Sequence, residues 1–376
     1  MRISCITLNN FSSLPLTRYF IQYFISVAPV ELTEYSTPGQ YEFTGLKKYT
    51  SFARFNNIYE ALNQGRFTKA KKYFTIIYRV LALARHRHAI VYTPDFQVMR
   101  YAIMVKKLLR RKNWHIIYHQ FETIERRRHS VRENRLWTYL NQNNRFIDLL
   151  IFPEQNRMEY FLQESPDAAG RSIVFPNTCE PAADNGGTVH EALKHIPPNA
   201  TLVGHVGNVG PDHYLDFFFR LMDACTGSPI YFLLVGNYSE QVLERLKAVN
   251  NPNMILLKAV PHRELGSIYR ALDYGMILYR AVDINFKFCA PNKLYEYWSY
   301  GIPVMAHQLP GLLPVFNHPQ KGRLFDFDSN DAVAAVQQVL QKGKTSKTEL
   351  QQLFRETMDV RQCLEPVKNT ISTWIR

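Results

Sequence analysis

The feature that most constrains the fold is an alternation of short apolar runs with helical patterns in the second half of this 376-residue chain. The apolar runs, each of strand length, cover residues 201–206, 230–235, 254–257, 275–279 and 303–306. The helical patterns lie near residues 214–225, 239–249, 262–272, 292–300 and 330–342. Continuous apolar strands that alternate with helices are typical of parallel strands covered on both faces. The second half is therefore predicted to be a doubly wound α/β domain.

The first half shows the same alternation less cleanly. Strands are predicted at residues 3–8, 89–92, 115–118, 149–152 and 173–175, and helices near 52–63, 67–84, 96–111, 130–144 and 155–163. Residues 10–50 give no clear pattern, and a stretch rich in Pro, Gly, Asn and Ala follows at 176–199. We predict two Rossmann-like doubly wound domains, residues 1–180 and 181–359, with a C-terminal helix of about 360–376 packing back on the first. Ligands of such sheets bind beyond the carboxyl ends of the strands, so the two domains are expected to face one another across a cleft.

Composition excludes several classes of protein. With 46% hydrophobic and 20% charged residues, the chain is expected to be soluble and globular. Five cysteines are present, at 5, 179, 225, 289 and 363, and the wide spacing excludes zinc ribbons and a disulfide framework. Residues 19–30 form the longest uncharged stretch that we find near the N-terminus, too short for the roughly 20 residues of a spanning helix. We therefore expect a cytosolic protein that is neither integral to a membrane nor exported by a signal peptide.

The net charge of +13 is concentrated in the first half. Residues 1–180 carry 26 Lys and Arg against 14 Asp and Glu, whereas residues 181–376 carry 19 against 18. This asymmetry indicates a polyanionic partner for the first domain, either nucleic acid or an anionic membrane surface. Two apolar helical stretches with basic edges, 67–85 and 98–112, favour a membrane surface. Solvated faces of crossover helices would explain the same charges.

The segment with the most specific chemistry is Ala-Pro-Asn-Lys-Leu-Tyr-Glu, which begins at Ala290. Pro291 suits the first turn of a helix, and the free amides of Asn292 and Lys293 would form a positive helix N-terminus suited to a diphosphate. Lys293 and Glu296 share one face, where a cation and a carboxylate can hold a phosphate and a ribose diol. A solvated ion pair on a surface helix is the alternative interpretation.

This segment, continued by Gly301-Ile-Pro-Val, resembles the nucleotide-sugar-binding signature of family-four-like bacterial GT-B glycosyltransferases of polysaccharide biosynthesis. The resemblance extends in register over residues 201 to about 315 and includes a diphosphate loop at 204–208 and a base-binding segment at 253–265. It implies that residues 181–359 bind a nucleotide-sugar donor and that residues 1–180 bind the acceptor. The donor-binding residues that it implies are Gly207, Asn208, Val260, Pro291, Asn292, Lys293 and Glu296.

The sequence departs from the family pattern in its charged groups. Phe288 stands where many retaining members have the first acid of a Glu-x7-Glu motif, and Asn208 stands where an Arg is expected. Retention or inversion is therefore left undetermined. Charge on the leaving diphosphate would be met by Lys293 and the helix amides, with Lys287 or Arg280 as further candidates. The resemblance implies no metal and no cofactor.

In the first domain, residues 116–122 are similar to the family strand end that faces the cleft. His119 and Glu122 are the candidate catalytic residues, because an imidazole or a carboxylate there could accept the acceptor's hydroxyl proton. The alternatives are a core histidine and a Glu122–Arg126 pair. The loop after the first strand adds weaker candidates for acceptor contacts: Asn10, Ser12 and Ser13.

We therefore predict a hexosyltransferase-type enzyme, peripheral to the inner face of the cell membrane, that transfers sugar to a lipid-linked or polysaccharide acceptor in capsule or lipopolysaccharide synthesis. Its partners would be a nucleotide-sugar, the glycan acceptor and an anionic membrane, and the sequence does not set its oligomeric state. A GT-B sugar-nucleotide epimerase is the alternative within enzymes, although the basic asymmetry counts against it. A nucleic-acid-binding module is the alternative outside enzymes, against which stands the lack of zinc, helix-turn-helix or RNP motifs.

Overall fold

The structure is a computed structural model that describes residues 1–8, 11, 14, 16–36, 42–54, 66–110, 113–125, 130–183, 188–249, 251–261, 264–344 and 346–375. The chain divides into two compact units, Met1–Pro176 with Leu364–Arg376, and Asn177–Cys363. Within the described ranges, no helix combines the length and the apolar character that crossing a bilayer requires.

The first unit is a parallel sheet flanked by helices. Its strands are β1 (Arg2–Ile6), β2 (Val30–Ser36), β3 (Lys48–Arg54), β4 (Ala89–Thr93), β5 (Trp114–His119), β6 (Leu149–Phe152) and β7 (Ser172–Val174). Its helices are α1 (Thr17–Val27), α2 (Arg66–Ala82), α3 (Phe96–Leu108), α4 (Val131–Asn143) and α5 (Gln155–Leu162). The strand order is β3-β2-β1-β4-β5-β6-β7, with every neighbouring pair parallel. Strands β4 and β6 are buried along their whole length because helices cover both faces.

The second unit repeats this architecture with six strands. They are β8 (Thr201–Val206), β9 (Ile230–Gly236), β10 (Met254–Lys258), β11 (Tyr274–Ile277), β12 (Val304–His307) and β13 (Gly322–Phe325), in the order β10-β9-β8-β11-β12-β13. The helices are α6 (Leu215–Ala224), α7 (Glu240–Ala248), α8 (Leu265–Ala271), α9 (Ile284–Lys287), α10 (Asn292–Ser299), α11 (Ala332–Gln341), α12 (Lys347–Thr357) and α13 (Val360–Ile375). From Leu364 onward, α13 belongs to the first unit.

The strand order reverses between β1 and β4 in the first sheet and between β8 and β11 in the second. Crossovers leave a parallel sheet in opposite directions at such a point, which opens a crevice beyond the carboxyl ends of the strands. In the second unit, the loop after β8 and the start of α10 meet beside this crevice.

The prediction of two Rossmann-like doubly wound domains is confirmed. The predicted helix near 52–63 is wrong over residues 52–54, because these residues form the end of β3. Residues 55–65 lie outside the part of the chain that the structure describes. Strands β2, β3 and β13 and helices α1, α9 and α12 have no counterpart in the predicted elements.

Candidate functional site

Helix α10 presents an open N-terminus. Pro291 directly precedes it, with φ −74° and ψ 127°, and its side chain supplies no capping hydrogen bond. The sequence places Pro291 within the first turn, whereas the structure places it one position earlier. The amides of Asn292 and Lys293 are therefore the first two of the helix, at the positive end of its dipole.

Tyr297 fixes α10 against the end of β8. Its hydroxyl donates to the carbonyl oxygen of Gly204 at 3.0 Å and accepts from the amide of Val206 at 2.8 Å. Burial raises the pKa of Tyr297, so its hydroxyl stays neutral and fills both roles. Gly275 is needed for this approach, because a Cβ there would lie 2.7 Å from the Tyr297 ring.

Glu296 is held by two donors to the same oxygen. Lys293 Nζ lies 3.1 Å from its Oε2, and the hydroxyl of Tyr269 on α8 also donates to Oε2. Burial, followed by the charge of Glu296, raises the pKa of Tyr269 well above its ordinary value, so that this hydroxyl keeps its proton. The carboxylate is thus fixed in one orientation beside a cation.

The loop after β8 lies next to Lys293. Gly207 has φ +151°, and a Cβ built on it would lie 3.8 Å from Lys293 Cε. Its amide donates to the carbonyl oxygen of Val235 at 2.7 Å, which brings the loop onto β9. A Cβ on Gly236 would come within 1.8 Å of the Gly207 carbonyl oxygen, so this close approach requires glycine there.

The other predicted donor-site residues are less closely grouped. The exposed side chain of Asn208 accepts from Asn237 Nδ2 at 3.1 Å, and Val260 packs partly buried against the core. Arg280 is paired with Asp216 at 3.7 Å. Gly207, Lys293 and Glu296 are therefore the predicted residues that the structure brings together.

His119, a candidate base, is fully buried at the end of β5. Its Nδ1 lies 2.9 Å from the hydroxyl of Tyr92, and its ring stacks on Phe121 at 4.1 Å and packs against Phe20 at 5.0 Å. Burial lowers the pKa of His119 to about 3, so the ring is neutral at pH 7. These are the surroundings of a core histidine.

Glu122, the other candidate, is exposed three residues beyond β5. Its alternative partner, Arg126, lies outside the described residues, as do the loop candidates Asn10, Ser12 and Ser13.

Tyr269 and Tyr297 are the site residues that the sequence reasoning missed. Tyr297 adjoins Glu296 within the motif, which could have indicated it. No spacing rule pairs Tyr269 with Glu296 across 27 positions, because the contact depends on how α8 packs beside α10.

Tyr269→Phe should weaken nucleotide binding about three- to tenfold, since one hydrogen bond that orients Glu296 is lost. Calorimetry with a nucleoside diphosphate would measure this. Tyr300→Phe is a matched control, because Tyr300 packs against the Tyr269 ring at 5.2 Å. Equal affinities of Tyr269→Phe and the wild type would contradict an orienting role.

Comparisons with known proteins match part of the second unit to a family model and nearly the whole chain to solved structures. Residues 200–342 match the family model described as glycosyl transferases group 1. No curated protein sequence matches the chain. Among solved structures, Anabaena HepE in complex with UDP-glucose has a TM-score of 0.69 at 16% identity, covering 99% of this chain and 100% of that one. The lipopolysaccharide outer core galactosyltransferase WaaB has a TM-score of 0.68 at 15% identity, covering 99% of each chain. WaaG, a glycosyltransferase involved in lipopolysaccharide biosynthesis, has a TM-score of 0.63 at 12% identity, covering 98% of each chain.

Similarity at these identities shows a shared fold, the GT-B fold of two Rossmann-like domains. The family match places a group 1 glycosyl transferase domain over most of the second unit, which carries α10 and the Gly207 loop. Residues 200–342 therefore form a glycosyl transferases group 1 domain, within a chain that has the GT-B fold.

Proposed function

We propose that this enzyme transfers a hexose-type sugar from a nucleotide-sugar donor to a lipid-linked or polysaccharide acceptor, in capsule or lipopolysaccharide synthesis. The observation that carries the proposal is the Lys293–Glu296 pair, oriented by Tyr269 at the open end of α10 and adjacent to Gly207. A cation, helix amides and a fixed carboxylate in one place match a diphosphate joined to a ribose diol. The UDP-glucose held by HepE supports the same class of donor.

Transfer is proposed to need no metal, with Lys293 and the amides of α10 stabilising the leaving diphosphate. The described residues contain one candidate metal-ligand group, His307 with Asp326 and Asp328. His307 Nδ1 accepts from the amide of Phe327 at 3.1 Å, so the neutral ring carries its proton on Nε2. That Nε2 faces the Tyr214 hydroxyl at 3.3 Å, and the same hydroxyl donates to Asp328, so hydrogen bonds within the protein already engage two members of this group.

A panel of UDP-, GDP- and dTDP-sugars tests the donor assignment by thermal unfolding. A ligand at a hundred times its Kd stabilises the folded state by about 2.7 kcal/mol, which raises Tm by several degrees. Sugars of one nucleotide class should raise Tm, and sugars of the other two classes should leave it unchanged. If no nucleotide-sugar raises Tm, the proposed donor site is wrong.

Glu122 is proposed as the proton acceptor for the acceptor hydroxyl. An exposed carboxylate can reach a bound substrate, whereas His119 is enclosed by aromatic rings and has its pKa lowered by burial.

The enzyme is further proposed to bind the inner, anionic face of the cell membrane through helices α2 and α3. Phe74 and Leu108 are each 74% exposed, with Tyr78 on the same face of α2 as Phe74 and Met104 on the same face of α3 as Leu108. The two helices are neighbours, since the rings of Tyr73 and Tyr101 lie 6.3 Å apart. Exposed cations on α3 and just beyond it add charge attraction to the apolar contact: Arg100 and Arg110. This combination favours a membrane surface over bulk water.

Sedimentation with vesicles tests this docking. The enzyme should bind vesicles containing anionic lipid at low salt and be released at high salt, because each cation contributes about 1 kcal/mol that salt screens. The Phe74→Ser/Leu108→Ser double variant should bind at least tenfold more weakly, since each buried apolar side chain contributes about 1.5–3 kcal/mol. Leu313→Ser, at an exposed leucine of the second unit, is the control. Equal binding to neutral and anionic vesicles would count against the proposal.

A further inference from the structure

Two buried histidines lie at the crevice of the second unit, next to the Gly207 loop. His205 is near the carboxyl end of β8, with 3% of its surface exposed, and His213 follows on the loop to α6, with 8% exposed. Their rings meet edge to face at 5.5 Å. His213 also forms an antiparallel bridge with Tyr279, just after β11. The pair therefore occupies the point where the strand order reverses.

His205 has one satisfied and one unsatisfied nitrogen. Its Nδ1 lies 3.1 Å from the carbonyl oxygen of Met276, and a carbonyl can only accept, so Nδ1 carries the proton of the neutral ring. Nε2 then has a bare lone pair and makes no hydrogen bond of normal geometry among the described residues, although the Asn208 backbone lies near the ring. A buried polar atom in that state is costly to leave unpaired.

His213 has the opposite tautomer. Its Nδ1 accepts from the amide of Gly210 at 3.2 Å, so the neutral ring carries its proton on Nε2. This Nε2–H is buried and likewise has no acceptor in the part of the chain that the structure describes.

The free nitrogen of His205 is close to the proposed diphosphate site. A Cβ built on Gly207 would lie 3.8 Å from His205 Nε2 and 3.8 Å from Lys293 Cε, so both groups flank the same spot. The loop has Asn208 where an arginine is expected, which leaves the site short of positive charge.

We propose that His205 and His213 bind the diphosphate of the nucleotide-sugar, with His213 donating its Nε2–H and His205 donating a proton that its Nε2 takes up from solvent as the donor binds. This inference rests on the proposed function. The proton adds a positive charge to the site, which compensates the phosphate charge at the position that lacks the arginine. Donor binding is therefore coupled to proton uptake.

The groups around His205 set the direction of the pH dependence. Burial, with smaller effects from the charges of His213 and Lys293, lowers the pKa of His205 to about 3, although the backbones of Met276 and Asn208 act to raise it. Among the described residues, Asp212 lies beside His213, the Tyr279 ring meets that of His213 at 5.2 Å, and Glu296 is paired with Lys293. An adjacent diphosphate raises the pKa of the bound ring, so donor affinity should fall as pH rises through that bound value, by up to about tenfold per pH unit. The diphosphate of a nucleotide-sugar has no group that titrates near neutral pH.

Calorimetry in two buffers of different ionisation enthalpy measures the proton directly. The probe is whichever of UDP-glucose, GDP-mannose and dTDP-rhamnose binds most tightly, from about pH 6 to about pH 8. The wild type should take up a fraction of one proton per donor bound. His205→Asn, which can still donate to Met276, should lose the uptake and bind about 10- to 100-fold more weakly.

His213→Asn, which can still accept from Gly210, should bind more weakly and retain the uptake. His318→Asn is the control, because His318 accepts from the amide of Gln320 just before β13, an edge strand of the sheet, whereas His205 lies on the central strand β8. Binding with no proton uptake in the wild type, or with unchanged uptake in His205→Asn, would overturn the proposal and leave the donor site standing. Failure of all three nucleotide-sugars to bind would overturn the proposed function as well. If His205→Asn fails to fold, the proposal is tested by proton uptake in the wild type and by the pH dependence of its donor affinity.

Discussion

Glu122→Gln should reduce turnover by about 100- to 10,000-fold, the usual cost of removing a general base. The amide keeps the size of the side chain but cannot accept the acceptor's proton. Donor affinity and Tm should stay at their wild-type values, because Glu122 is exposed and lies in the other unit from the proposed donor site. Glu125→Gln, three positions further along the same segment, serves as the control.

His119→Ala should behave differently from Glu122→Gln. Its ring packs among Tyr92, Phe121 and Phe20, so truncation leaves a cavity that costs about 2–5 kcal/mol of folding stability. Thermal unfolding measures that loss of stability. The turnover of the protein that remains folded shows whether His119 also contributes to catalysis. Normal turnover in both variants would place the base elsewhere, and the loop around Asn10–Ser13 would be examined next.

Glu296→Gln should weaken nucleotide binding by about 10- to 150-fold, because a charged hydrogen bond to the ribose contributes roughly 1.5–3 kcal/mol. The fold should survive, since Glu296 is partly exposed and Tyr297 anchors α10 independently. Calorimetry measures the change, with Glu240→Gln at the start of α7 as the control.

Ribose recognition can be separated from general charge effects by a second ligand. The wild type should bind a nucleoside diphosphate more tightly than its 2′-deoxy form, and Glu296→Gln should reduce that difference, as expected for groups in direct contact. An undiminished preference in the variant would show that Glu296 does not hold the ribose.

The fold of the second unit could be predicted because its central strands are buried on both faces. Strand β8 spans Thr201–Val206, as predicted, and β9 and β10 each extend one residue beyond the predicted runs. Strand β13 was missed because its sequence, Gly-Arg-Leu-Phe, contains no apolar run long enough to predict a strand.

Strands β2 and β3 were missed for a different reason. Strand β2 contains Glu34, a fully buried carboxylate that accepts from the amide of Phe11 at 2.6 Å, so the apolar run is interrupted. Strand β3 lies at the edge of its sheet, and its sequence contains too many polar residues to give the apolar pattern of a buried strand.

The site was predictable where it depends on local spacing and obscure where it depends on packing. The pairing of Lys293 with Glu296 follows from their positions on one helix. The contact of Tyr269 with Glu296 and the meeting of His205 with His213 arise from tertiary packing that no local pattern encodes.

Transfer of a radiolabelled sugar from its nucleotide to membrane lipid or polysaccharide, measured in the presence of EDTA, tests the sugar-transfer chemistry most directly. With the nucleotide-sugar that raises Tm most, label should move into the lipid or glycan fraction and free nucleoside diphosphate should appear in equal amount. Glu296→Gln should slow this transfer at low donor concentration. Label that stays entirely on the nucleotide, unchanged or as an epimerised sugar, would contradict the proposed function.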